Sequence, residues 1–149
     1  MKKLQYSVTI AADPKTVYDI MLGKETFKLW TAAFNPTSDF EGSWEKGQKI
    51  SFVGTNKDGQ KEGMVGVIRE NIPEKFVSIE YVAVLEAGKE LTEGAHIESW
   101  LNTFENYTFE KVNGATKVTV DIDMGEEMVD FFDKTYPKAL QILKDLCES

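Results

Sequence analysis

The chain has 149 residues, 25 acidic and 17 basic, with a formal charge of −8 and 42% hydrophobic residues. That length suits one domain, which at this size buries roughly 68–70% of its unfolded surface, and the balance of apolar and charged residues excludes a disordered or fibrous chain. The acidic excess repels phosphate backbones and argues against a nucleic-acid partner, and no apolar run approaches the ~20 residues of a membrane-spanning helix.

Leu4, Tyr6, Val8 and Ile10 alternate with Lys3, Gln5, Ser7 and Thr9, which predicts a strand with one dry face and one wet face. The same polar residues interrupt the basic opening Met1-Lys2-Lys3, so no signal-peptide core is expected. Asp13-Pro14 then starts a helix, the aspartate offering an oxygen to orphan amides and the proline a pre-set φ at the first helical position. Val17, Ile20 and Met21 line that helix, and Gly23 is expected to end it in a left-handed conformation. A second short helix is predicted from Glu25 to Trp30.

From residue 37 to 123 the punctuation is that of hairpins. Trp44-Glu45-Lys46-Gly47, Asn56-Lys57-Asp58-Gly59 and Asn113-Gly114 separate strands predicted near 37–43, 48–54, 61–71, 75–86, 99–111 and 115–123. Val77, Ile79 and Tyr81 set the inward side of one, and Val118, Val120 and Ile122 that of the last. The strand from 99 is ambiguous. Trp100 and Phe104 share one parity, Tyr107 and Phe109 the other, so either a β-bulge lies near Glu105-Asn106 or the early part faces the other side. Residues 86–98, with Gly88 and Gly94, read as the longest loop. From Glu126 to Cys147 the period changes: Met128, Phe132, Tyr136, Ala139, Leu140 and Leu143 share one face of a long helix. A helix so apolar along one side must lie on something, and a sheet is what the preceding chain provides. The predicted fold is α+β: a curved antiparallel sheet of six or seven strands around a long C-terminal helix, with two short helices after the first strand.

This order resembles the START-related helix-grip (SRPBCC) superfamily, and within it the branch named after the activator of heat-shock protein 90 ATPase. The resemblance is carried by Ser7-Val8-Thr9-Ile10-Ala11-Ala12-Asp13-Pro14-Lys15-Thr16-Val17-Tyr18, by Leu29-Trp30, by Gly63 through Pro73, and by Tyr107-Thr108-Phe109-Glu110 with Gly114-Ala115-Thr116-Lys117-Val118-Thr119-Val120. It covers essentially the whole chain, 1–149, as a single START-like domain. These are markers of fold and say little about function. The superfamily implies non-catalytic binding of a small hydrophobic molecule. The branch implies a co-chaperone-like interaction domain, although this chain has no room for the extra N-terminal domain of the namesake activator. Some superfamily members imply an enzyme acting on a polyketide-like substrate.

The residues supply few candidates for chemistry. His96 is the one histidine and sits in the long loop, so neither a zinc site nor a nucleophilic triad with Ser99, Thr103 or Thr108 is expected. Asp121 and Asp123 read as solvated charges on the wet face of a strand, and the glycines at 54, 59, 63 and 66 lack phosphate-cradling spacing. No cofactor is expected. Cys147, the single cysteine, reads as a packing residue; it forms no internal disulfide, which is compatible with a cytoplasmic protein. The aromatic set remains, and it either fills the core or lines a cavity. In the second case the wall would be Met21, Trp30, Phe40, Phe52, Ile79, Tyr81, Met128, Phe132 and Tyr136, because a straight helix cannot touch a strongly curved sheet along its whole length. Tyr136 is the leading candidate, since a buried phenol at mid-helix must find a hydrogen-bond partner. The assigned sheet-facing positions are all apolar or tyrosine, which argues against an enzyme. Partners are therefore expected to be a small hydrophobic ligand or another protein. Phe132, read as buried, is expected to cost ~3–5 kcal/mol on truncation to alanine.

Overall fold

A computed structural model describes all residues, 1–149. Strand β1 (Lys2–Ile10) leads into α1 (Pro14–Leu22) and α2 (Phe27–Thr31); β2 (Asp39–Gly42), β3 (Lys49–Thr55), β4 (Lys61–Ile72) and β5 (Phe76–Glu86) follow as a meander. After them come β6 (Lys89–Leu91), one turn of helix α3 (Ala95–Glu98), the hairpin β7 (Phe104–Val112) and β8 (Ala115–Met124), a 3-10 turn at Glu126–Met128, and α4 (Val129–Glu148). The strands form one antiparallel sheet in the order β1-β8-β7-β5-β4-β3-β2, with β6 paired beside β5. The expected six or seven strands are the main path, and the three residues of β6 add an eighth.

Local chemistry explains most of the boundaries. Asp13 caps α1 by accepting from the Thr16 amide at 2.8 Å, and Pro14 stands in its first turn. Asn113 and Gly114 both have positive φ, at 49° and 83°, as the two-residue hairpin between β7 and β8 requires. Gly23 departs from expectation: it ends α1 with φ −63° and ψ 143°, an extended and not a left-handed conformation. Crowding explains the glycine instead, because a Cβ there would lie 2.5 Å from Thr26 Oγ1 and 2.8 Å from the Asp19 carbonyl. The stretch 86–98 is likewise not one loop, since β6 and α3 give it pairing and a helical turn.

The ambiguity of the seventh strand resolves against a bulge. Residues Glu105 to Val112 pair with Ile122 to Ala115 without a break, so β7 starts only at Phe104 and Trp100 precedes it. Phe104 lies opposite Glu80 on the outer face, whereas Glu105, Tyr107 and Phe109 all face inward and are buried. An acidic residue therefore occupies an inward position.

Helix α4 begins at Val129 and holds Tyr136, Ala139, Leu140, Leu143 and Cys147 buried on one face. It packs along β1 and against α1 and α2. Its ends are fixed by polar contacts to that side: Tyr6 donates to Asp133 at 2.7 Å and stacks on Tyr136 at 5.1 Å, while Glu148 accepts from the Ala11 amide at 2.8 Å. A helix pinned to the β1 edge stands away from β3, β4 and β5, and the space between is the site described next. No helix is long and apolar enough to cross a membrane.

Candidate functional site

A cavity of about 270 Å3 lies between α4, α2 and the concave face of the sheet. Phe131, Phe132 and Tyr136 come to it from α4, and Phe27, Trp30 and Thr31 from α2. Phe34 and Ser38 come from the connection to β2, and Phe52, Gly63, Met64, Tyr81, Glu105 and Tyr107 from β3, β4, β5 and β7. Gly63 on its rim is required by the close approach of β3, since its φ of 146° suits glycine and a Cβ would stand 1.9 Å from the Phe52 carbonyl oxygen. Trp30 is held by donating from Nε1 to the Met21 carbonyl at 2.9 Å, and Phe34 meets Tyr136 edge-on with centroids 5.0 Å apart.

Glu105 is the polar centre of this wall. It is 7% exposed, and its strand neighbours across the sheet are Ile79 and Ile122. Tyr81 donates its hydroxyl to one carboxyl oxygen and Tyr136 donates to the other. Burial pushes the Glu105 carboxyl above the ordinary glutamate range, with the two phenolic hydrogen bonds pulling the other way. The phenols of Tyr81, Tyr107 and Tyr136 are pushed well above the ordinary tyrosine value, first by burial and then by the charge of Glu105. All three therefore remain protonated at neutral pH. The lining contains no histidine, lysine, arginine or cysteine. The arrangement can bury an apolar body and offer it one carboxyl group framed by phenols.

Of the nine residues named from the sequence, Trp30, Phe52, Tyr81, Phe132 and Tyr136 border this cavity. Met21, Phe40 and Ile79 lie in the packed core instead, at 0%, 6% and 0% exposure. Met128 lines an adjoining groove with Trp100 and Phe132. Phe132 is half-buried, because its ring borders the cavity. Sequence reasoning missed Glu105, Tyr107, Phe34 and Met64. The premise that inward positions are only apolar or tyrosine is corrected by Glu105. The one usable signal was parity: Glu105 shares it with Tyr107 and Phe109.

The remaining candidates do not converge. His96 is exposed, with Nε2 3.4 Å from a Glu86 oxygen. Asp121 accepts from Gln5 at 2.8 Å and Asp123 from Lys3 at 3.1 Å, both between β1 and β8. No three of the histidine, cysteine, aspartate and glutamate side chains are placed to hold a metal ion. Cys147 is buried, which pushes its thiol up to about 11.

No family model and no curated protein matches the chain. Solved structures do. The Aha1 dimer of Colwellia psychrerythraea aligns over 99% of this chain and 97% of its own, with 22% identity and a TM-score of 0.70. A protein of Nitrosomonas europaea aligns over 97% and 92% with 16% identity and a TM-score of 0.73, and one of Mycobacterium smegmatis over 97% and 89% with 14% identity and a TM-score of 0.71. At these identities the likeness is one of fold, and the fold is the helix grip.

Proposed function

We propose that the protein binds a small, largely apolar molecule in the cavity between α4 and the sheet, without transforming it. The supporting observation is the cavity itself: about 270 Å3, ten of its fourteen lining residues hydrophobic, with the Tyr81 and Tyr136 hydroxyls converging on Glu105. Ligand sites of small-molecule binders have this composition, an apolar wall with a few convergent polar groups. A cavity of about 150 Å3 suffices for benzene, so a bicyclic aromatic fits here. The lining brings no nucleophile paired with a base. Its one carboxyl has both oxygens engaged by phenols, which suits recognition better than proton transfer.

Titration calorimetry of the full chain with a neutral bicyclic probe, indole, tests this reading. Apolar burial predicts binding with a negative heat-capacity change, and a stabilisation of about 2.7 kcal/mol when indole is present at about 100 times its Kd. Absence of both binding heat and any rise in thermal midpoint would contradict it. The outer strand faces would then be the surfaces to test, as a co-chaperone-like interaction domain requires.

A further inference from the structure

We infer that the ligand carries a protonated amine on its apolar body, and that the amine meets the carboxylate of Glu105 between Tyr81 and Tyr136. The inference rests on the cavity-binding reading above and adds the chemical class of the ligand. Four observations carry it.

Glu105 stands on the inner face of the sheet between Ile79 and Ile122, where a leucine would pack without desolvating a charge. Its two hydrogen-bond partners, Tyr81 and Tyr136, are neutral donors, and no lysine, arginine or histidine lines the cavity, so the protein supplies no countercharge there. A buried carboxylate in that position is complementary to a cation from outside the chain.

The hydrogen bonding leaves room for that cation. An ionised carboxylate offers about four lone-pair directions, and the two phenols use one on each oxygen. An ammonium can take the others while the phenols keep their places. Trp30 and Phe34, whose ring centroids lie 6.5 and 5.0 Å from that of Tyr136, line the same cavity, and aromatic rings are surroundings in which ammonium groups gain cation–π attraction. An anionic ligand meets the opposite: the Glu105 charge repels it, and the phenolic hydrogens are already donated.

Three probes separate the terms: tryptamine and tryptophol, which match in size, and the slightly larger indole-3-propionate; they share the indole and a two-carbon arm and differ in the charge at its end. Each is titrated by calorimetry into the full chain near neutral pH. Tryptamine should bind at least about tenfold tighter than tryptophol, a difference of about 1.4 kcal/mol, and indole-3-propionate should bind weakest. In Glu105→Gln tryptamine should fall to the tryptophol level while tryptophol itself changes little. Tyr81→Phe, which retains the carboxylate, should keep the order. If Glu105→Gln does not fold, the wild-type order and Tyr81→Phe decide alone.

Tryptophol binding as tightly as tryptamine overturns the amine assignment and leaves the cavity reading standing. A tryptamine preference that persists in Glu105→Gln overturns it too, because the chain's charge of −8 would then be the cause. If none of the three binds, the amine assignment falls, and the indole titration shows separately whether the cavity reading falls with it.

Discussion

Glu105 concentrates the physical tension of the molecule in one side chain. Its ionised form is opposed by burial and favoured by two phenolic donors, and burial wins, leaving its affinity for a proton above the ordinary glutamate value. The groups facing it are Tyr81 from β5, Tyr107 from its own strand and Tyr136 from α4, all neutral near neutral pH, with Tyr81 and Tyr136 donating to it. The folded state therefore holds the Glu105 proton more tightly than the unfolded chain does. Its contribution to stability is fully present below the ordinary glutamate pKa of about 4.3 and is lost as pH rises through the folded value. Glu105→Gln removes this dependence. The thermal midpoint of the glutamine variant should gain on wild type as pH is raised from about 4 toward 7. A difference between the two proteins that is flat across this range, or that shrinks, would show that the site favours the charged form at least as strongly as water does.

At the scale of elements, α4 plays two parts along its length. Its C-terminal half is packed: Leu143 is 0% exposed and Leu140 2%. Its N-terminal half borders the cavity, with Phe131 43% exposed and Phe132 half-buried. Truncation should report this division. Leu143→Ala should lose about 2–5 kcal/mol by transfer and cavity formation, whereas Phe132→Ala, which enlarges a space already present, should lose only about 1–2 kcal/mol. Chemical denaturation of the two variants checks the order, and an equal loss would mean that the cavity is closed around Phe132. The apolar stripe from Met128 to Leu143 was legible at helical spacing, but periodicity ranks a face and does not tell close contact from a gap. Strand β7 was harder for a definite reason. Trp100 and Phe104 looked like part of an alternating strand, although one lies before it and the other faces outward. Once those two are set aside, the inward series is Glu105, Tyr107, Phe109, and the acidic member is what hid the phase. Its partners lie 24 and 31 residues away in sequence, so no local pattern announces them.

For the whole molecule, the order of elements and the α+β class were legible because each hairpin carries its own turn residues and the first and last strands in sequence, β1 and β8, alternate cleanly. The cavity follows from something no single segment encodes. Contacts of Tyr6, Ala11 and Thr9 with Asp133, Glu148 and Lys144 hold α4 to the β1 edge of the sheet, and the opposite side is left to aromatic rings that do not close the gap. From the sequence Trp30, Phe52, Tyr81, Phe132 and Tyr136 read as either core or cavity wall, together with Met21, Phe40 and Ile79; the two groups were not separable, since buried and cavity-lining residues share one composition. The most direct test of a ligand site in this space is nuclear Overhauser contact between bound indole and the methyl of Met64, with Trp30, Phe132 and Tyr136 as the other lining residues. Binding in the cavity gives intermolecular contacts to these four residues and shift changes confined to the helix–sheet gap. Shift changes confined to the outer faces of the strands, with no contact to Met64 or Tyr136, would contradict it.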